Sequence, residues 1–338
     1  MLKAALIGFG GISTVHRQGY SNLENEGKVK LVAAYDINPD AFNTSVTINL
    51  GNSDVQGENI NFYSDLDRML EKEEIDFIDI CIPTYKHREL SELLLRRGYH
   101  VLCEKPMALN FADCAEMINA AKENGKELMI GQCLRFFHAF DYIKEAIDTE
   151  KFGKVLGGMF LRLSPPPVWG WENWFMNPDR SGGCITDLHI HDVDIIRYLF
   201  GEPDAVSCRT TTSISIHDTV HTAFYYGGVP ITAIGDWTLD GIKFSHKSQI
   251  NFEEATITFD DGGLNVYPKG GEAAYTVDLD NASGYEREIS YFCDVVAGKI
   301  KNEKNPAESA AETINLVEHM RASANNQGEV ITFKKKFS

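Results

Sequence analysis

The chain has 338 residues, too many for one ordinary core and well suited to two domains. Its formal net charge of -17 argues against nucleic acid or an anionic membrane as partner, and Lys334-Lys335-Lys336 reads as a solvated end. Apolar stretches fall short of a bilayer span, the N-terminus lacks a secretory signal, and seven cysteines without a Cys-x-x-Cys pair predict reduced thiols in the cytoplasm, with no structural zinc.

The first third alternates apolar runs with amphipathic stretches. Strands are expected over Leu2–Phe9, Lys30–Asp36, Ile60–Tyr63, Ile75–Pro83, His100–Glu104 and Glu127–Gln132. Helices are expected over Gly11–Glu24, Pro39–Leu50, Asp65–Glu73 with Ser64 as N-cap, Lys86–Gly98 and Phe111–Asn124, and Gly51–Asn59 reads as a polar loop. This alternation predicts a doubly wound parallel sheet. After about Glu150 the pattern changes. A strand over Leu156–Leu163, a Pro- and Trp-rich loop over Pro165–Asn177 and a helix over Leu188–Leu199 precede period-two segments with short turns at Glu253-Glu254 and Asp261-Gly262-Gly263. Those read as an antiparallel meander. Helices over Glu286–Ala297 and Ala307–Ala324 close the chain, and no internal repeat is visible. The fold class is thus a Rossmann domain over 1–130, then a substrate and oligomerisation domain over 131–338 with a large, open, mostly antiparallel sheet. Whether the final segment packs back on the first domain is left open. One apolar sheet face is expected to stay uncovered and to pair in a homodimer or homotetramer.

The first strand ends in Gly8-Phe9-Gly10-Gly11-Ile12-Ser13. Gly8 permits a tight turn, Gly10 lets the backbone approach a pyrophosphate, and the following helix N-terminus favours negative charge. Ser13 replaces the usual third glycine or alanine and predicts slightly looser helix–strand packing. The second strand ends at Asp36, whose carboxylate can accept both ribose hydroxyls and would repel a 2′-phosphate, and Ile37 and Asn38 add no positive charge. The cofactor expected is NAD rather than NADP.

Further along, Pro83-Thr84-Tyr85-Lys86-His87, Glu104-Lys105-Pro106, Gly182-Gly183-Cys184-Ile185-Thr186-Asp187-Leu188-His189-Ile190-His191-Asp192-Val193-Asp194 and Gly201-Glu202-Pro203 occur in that order, with His16 after the glycine turn. The ordered set resembles the glucose–fructose oxidoreductase / inositol dehydrogenase / MocA (Gfo/Idh/MocA) family over nearly the whole chain. Three residues depart from that pattern: Tyr85 stands where asparagine is usual, and His189 and Cys184 where glycines are common.

The resemblance implies cofactor contacts from Pro83, Thr84, His87, Glu104 and Lys105, beside Gly8, Gly10, Gly11, Ile12 and Asp36. It also assigns His191 as acid/base, Asp187 as its partner and Lys105 as the third catalytic member, and places Arg135 near substrate and cofactor. Chemically, an ammonium at a strand end polarises a substrate oxygen and lowers its pKa, and a carboxylate beside an imidazole steadies a general base. If the stretch is helical, the i, i+4 spacing of Asp187 and His191 puts them on one face. Asp194 reads either as a ligand for a substrate hydroxyl or as a salt-bridge partner of Arg197. Trp171 and Trp174, with Trp169, suit a hydroxylated ring or internal packing, and His189 falls where it could tune the substrate. Asp187, His189, His191 and Asp192 also invite a metal reading, but the expectation is no metal.

The leading function is an NAD-dependent dehydrogenase oxidising a hydroxyl of a sugar, inositol or related polyol, or reducing the ketone. An NAD-dependent glycoside hydrolase with internal redox and a non-catalytic NAD-binding regulator remain as alternatives.

Overall fold

A computed structural model of the chain describes residues 1–43, 60–280 and 282–337. In chain order, the first elements are β1 (Leu2–Ile7), α1 (Ser13–Asn25), β2 (Val29–Tyr35), β3 (Asn61–Tyr63), α2 (Leu66–Lys72), β4 (Phe77–Ile80), α3 (His87–Arg96), β5 (His100–Glu104), α4 (Phe111–Asn124) and β6 (Leu128–Gly131). The next are α5 (His138–Asp148), β7 (Val155–Leu163), α6 (Pro178–Ser181), α7 (Cys184–Asp187), α8 (Ile190–Phe200), β8 (Ala205–Thr211), β9 (Thr219–Tyr226) and β10 (Val229–Asp236). Then follow β11 (Ser245–Phe252), β12 (Ala255–Asp260), β13 (Gly263–Pro268), β14 (Tyr275–Thr276), α9 (Gly284–Val296), α10 (Ala307–Asn325) and β15 (Ile331–Thr332).

Two compact units emerge. The first takes the described residues of 1–133 with 169–174 and 282–311, and the second takes 134–168, 175–280 and 312–337. Residues 169–174 and 282–311 thus count with the first unit, although both lie beyond residue 130.

The first unit is built on a parallel sheet of order β3-β2-β1-β4-β5-β6. Strand order reverses between β1 and β4, the place where open α/β sheets bind ligands at their carboxyl ends. Both faces are covered at the centre of the sheet, so β4 buries all of its positions, even Asp79. Helix ends follow from capping: Asn110 accepts the Asp113 N–H before α4, and Gly125, at φ +59°, closes it. Asp65, rather than Ser64, caps α2 by accepting the Arg68 N–H. The expected helix over Pro39–Leu50 begins as a short 3-10 turn, Pro39–Asn43; residues 44–50 and the expected loop Gly51–Asn59 lie outside the described residues. Helix α9 packs on α1 at Gly19, where an added Cβ would lie 3.2 Å from the Glu286 Cα.

The second unit carries a nine-stranded sheet of order β14-β13-β12-β11-β7-β10-β9-β8-β15. All its pairs are antiparallel except β7 with β10. One face is buried with period two: Val220, Thr222 and Phe224 on β9, Ile231 and Ala233 on β10, Ile250 and Phe252 on β11. The other face is mixed rather than apolar. Leu156 and Met159 are exposed there, but so are Thr232 and His221, with Gln249, Thr256 and Thr258 half-buried. The helix expected over Leu188–Leu199 is α8, Ile190–Phe200, and a separate short helix, α7, precedes it with a break at Leu188–His189. The expected loop Pro165–Asn177 contains a 3-10 stretch over Trp171–Met176, with Glu172 and Asn173 at φ 49° and 52°.

Candidate active site

The carboxyl edge of the parallel sheet collects the expected cofactor residues. Gly8 follows β1 at φ +91°, and an added Cβ would sit 2.3 Å from the Cys81 carbonyl oxygen, so only glycine fits. Gly10 is the reverse case: it is exposed, and no atom lies within 4 Å of where its Cβ would be. Its backbone is open to a ligand. Gly11 and Ile12 lead into α1, whose N-cap residue Ile12 makes no side-chain cap; the Thr14 and Val15 N–H groups turn back to the Gly11 and Ile12 carbonyls at 3.2 Å, and the helix presents its positive end at this edge. Ser13 is buried, and its hydroxyl donates to the Gly10 carbonyl at 2.6 Å. Asp36 is half-buried just past β2; its carboxylate accepts the Phe9 N–H at 2.7 Å and the Asn38 N–H at 2.8 Å. Ile37 beside it is exposed, and no Lys or Arg occurs from residue 37 to residue 59. The turn, the open glycine, the helix end and the carboxylate fit a dinucleotide without a 2′-phosphate.

The loops after β4 and β5 meet at the same edge. Pro83 precedes a short 3-10 turn, Thr84–Lys86, in which Thr84 is buried. His87 is buried, with its ring nitrogens each 2.8 Å from a carbonyl oxygen, of Pro106 and of Ile82. Burial holds its pKa below the usual range. His87 therefore ties the two loops together through its ring nitrogens. The Glu104 side chain is likewise engaged within the protein. It is 4% exposed, and its two oxygens are taken by the His16 ring at 2.9 Å and the Lys105 backbone N–H at 3.0 Å. Lys105 itself is half-exposed at the strand end, preceding a cis Lys105–Pro106 bond.

In the second unit, Gly182 and Gly183 have φ +73° and +76°, and a Cβ on Gly183 would lie 2.0 Å from the Ile216 carbonyl oxygen. This close approach fixes the start of α7, which ends at Asp187. Asp187 is largely buried and His191, in the first turn of α8, is half-buried. The His191 N–H donates to the Leu188 carbonyl at 3.4 Å and the His189 N–H to that of Cys184 at 2.9 Å, so the regular i, i+4 ladder assumed for Asp187 and His191 is interrupted.

Three expected substrate residues are otherwise engaged. Arg135 and Asp194, 2% and 1% exposed, form a two-pronged ion pair at 2.7 and 2.6 Å, and Asp194 also accepts the Thr313 hydroxyl at 2.8 Å. Arg197 pairs with Glu202. His189 is fully buried, with Nε2 3.0 Å from the Thr222 hydroxyl, and burial pushes its pKa down to about 4. An added Cβ on Gly235 would sit 2.8 Å from its Nδ1, so a glycine on β10 makes room for the histidine that replaces one on the helix side. Trp171 is half-exposed and Trp174 is buried; both count with the first unit. The alternative metal cluster is dispersed, since Asp192 forms a two-pronged pair with Arg162 at 2.9 and 3.0 Å and His189 turns to Thr222. Among the described residues the one metal-like grouping is His16, Asp79 and Cys81, in the first unit.

Gly235→Ala is expected to lower stability by about 1–3 kcal/mol, through overpacking against His189, and to be relieved by adding His189→Gly. Urea midpoints of the two single variants and the double variant check this, and strict additivity would count against the pairing.

Sequence reasoning passed over Asp79, Arg162, Asp218 and Trp237. Asp218 accepts N–H groups from Ser213, Ile214 and Ser215 and from the Trp237 indole at 2.8 Å. Burial alone would raise its pKa, but these donors hold it below the usual range. The signal for Asp79 was available, since a lone carboxylate in Phe77–Ile80 demands a buried partner.

Comparison with known proteins agrees with this architecture. Residues 2–132 match the family model described as "Oxidoreductase family, NAD-binding Rossmann fold", and residues 140–258 match the "GFO/IDH/MocA C-terminal domain". A 2,7-anhydro-N-acetylneuraminate hydratase of Mediterraneibacter gnavus is 33% identical over 144 residues, 41% of this chain and 37% of that protein, so this chain spans well under half of its length. An inositol 2-dehydrogenase of Rhizobium meliloti is 28% identical over 322 residues, 92% of this chain and 90% of the relative. The solved structure of a levoglucosan dehydrogenase with NADH and levoglucosan superposes with a TM-score of 0.81 at 19% identity, covering 98% of this chain and 99% of that one, a likeness of fold. This chain belongs to the Gfo/Idh/MocA family of oxidoreductases, with an NAD-binding Rossmann fold at its N-terminus.

Proposed function

We propose that the protein is an NAD-dependent dehydrogenase that oxidises a hydroxyl of a sugar, an inositol or a related polyol, or reduces the corresponding ketone. The observation that carries this reading is Lys105, a half-exposed cation at the carboxyl edge of the same sheet that ends in Gly8, Gly10 and Asp36. Bound NAD supplies the hydride acceptor. Pro83 and Thr84 border that cofactor site. Lys105 polarises the reacting oxygen and stabilises the alkoxide as it develops, His191 takes the proton, and Asp187 supports the imidazolium. Trp171, half-exposed, supplies an aromatic face for the substrate ring, and the buried Trp174 belongs to the same 3-10 stretch. A panel of polyols and sugars incubated with NAD, read by NADH absorbance, tests the reading; no NADH with any of them would count against it.

A second reading is favoured by the hydratase relative: a reaction with no net redox change. Product formed from an anhydro sugar without accumulation of free NADH would select it over the first.

NAD is expected to bind more tightly than NADP, and Asp36→Ser with Ile37→Arg to shift preference toward NADP. Fluorescence titration of both cofactors checks this, and equal affinities in the unaltered protein would overturn it. We also infer a cytoplasmic location from seven buried free cysteines. No helix among the described residues is long and apolar enough to cross a membrane. Pairing through the mixed sheet face would give a homodimer or homotetramer, and light scattering at micromolar concentration showing a monomer would exclude it.

A further inference from the structure

We propose that His16 is a positioning residue for Lys105, acting through the Glu104 carboxylate; this rests on the role proposed above for Lys105. His16 lies in the first turns of α1, its ring wholly buried, with Nδ1 2.8 Å from Asp79 on β4 and Nε2 2.9 Å from Glu104 at the end of β5. Both ring nitrogens face carboxylate oxygens, so the arrangement is best satisfied when both carry a proton. Burial works against that charge, yet the adjoining Asp79 carboxylate outweighs it and holds the His16 pKa well above the usual range.

The surroundings hold the ring in place. The Tyr20 hydroxyl donates to Asp79 at 3.0 Å, the Cys81 thiol lies 3.8 Å from the other Asp79 oxygen, and the Tyr285 ring of α9 stands 5.7 Å from the imidazole. Gly131 leaves space for Glu104, since a Cβ there would lie 3.2 Å from the Glu104 Cα and Oε1.

Packing alone does not explain a buried imidazole between two carboxylates. Apolar residues of similar volume would stabilise such a core at least as well. What the charged set adds is direction. The one Glu104 oxygen that His16 leaves available accepts the backbone N–H of Lys105 at 3.0 Å, so the chain from Asp79 through His16 to Glu104 ends on the residue that delivers the ammonium. The same histidine rides on the helix that opens from the glycine turn. One side chain thus links the cofactor-binding helix to the Lys105 loop.

The test uses the full-length protein and two readouts that need no substrate. These are hydrogen exchange of the Lys105 amide and the rate of Lys105 modification by trinitrobenzenesulfonate, followed by peptide mass spectrometry. In His16→Ala and Glu104→Ala, amide exchange is expected to rise by roughly tenfold, the equivalent of one lost hydrogen bond, and the Lys105 modification rate to change with it. Glu104→Gln, which keeps a carbonyl oxygen for the amide, should retain most of the protection. Glu104→Asp, which keeps the charge but shortens the reach, should lose it, and it carries the test if the alanine variants do not fold. With a turned-over substrate in hand, kcat should fall by roughly tenfold or more while the NAD dissociation constant stays within about threefold. Unchanged exchange and modification in folded His16→Ala or Glu104→Asp would overturn the proposal. If both readouts move as expected but no substrate is ever turned over, the dehydrogenase reading fails and the positioning stands.

Discussion

Lys105→Ala is expected to lower turnover by roughly 10²–10³ while NAD affinity changes far less, because an ammonium aimed at the reacting oxygen interacts most strongly as negative charge develops there. His191→Ala should cost on the order of 10²–10⁴ in rate and remove the acidic limb of the pH profile, which a base creates when it becomes protonated. Asp187→Asn should impair that limb while leaving the thermal midpoint near that of the unaltered protein, since it removes a charge but not the shape. The three effects should be less than additive, as for residues acting in one unit. Steady-state kinetics with the panel's best substrate and fluorescence titration of NAD separate kcat from cofactor binding. Near-normal turnover in both Lys105→Ala and His191→Ala would sink the assignment. Chelators should leave activity untouched, as the His189 and Asp192 side chains are committed to Thr222 and Arg162.

Much of this was legible before any coordinates, and the reasons are local. A glycine after an apolar strand, an aspartate after the next strand and a helix between them are dictated by backbone sterics and dipoles, so the gathering of Gly8, Gly10 and Asp36 at one edge of the parallel sheet was legible. The parallel and antiparallel sheets followed from hydrophobic period. What the sequence hides is a side chain's partner that lies far along the chain. Arg135 and Asp194 each look like a ligand group, and only the fold brings them together across 59 positions. His87 and Glu104 sit inside a motif that suggests cofactor contact, yet both face inward to hold loops. His189 stands between Asp187 and His191 in sequence, yet its side chain is buried against Thr222, and the compensating Gly235 lies on a strand 46 residues later. The break between α7 and α8 was hidden because Leu188 and His189 carry no breaker residue.

The Arg135–Asp194 pair offers the sharpest separation between a structural and a substrate role. Both side chains are buried, both carboxylate oxygens of Asp194 are used, and the Thr313 hydroxyl from α10 adds a third donor. Thr313 in turn accepts from Arg197, so four residues share the arrangement. Removing one charge from such a pair strands the other where water cannot reach it. Asp194→Ala is therefore expected to lower unfolding stability by about 3–5 kcal/mol, and Asp194→Asn, which keeps the shape and one acceptor oxygen, by less. Replacing both partners, Arg135→Met with Asp194→Leu, should recover a large part of the loss, because a buried ion pair exchanged for apolar groups of similar volume is often near neutral. Urea unfolding of the three variants reads this directly, and KM for the panel's best substrate is the control. A folded Asp194→Ala with unchanged midpoint and a KM raised tenfold or more would mean that the carboxylate binds a substrate hydroxyl after all. A lowered midpoint with KM nearly unchanged in the double variant would place Asp194 in the scaffold that holds α8, and with it His191, in position.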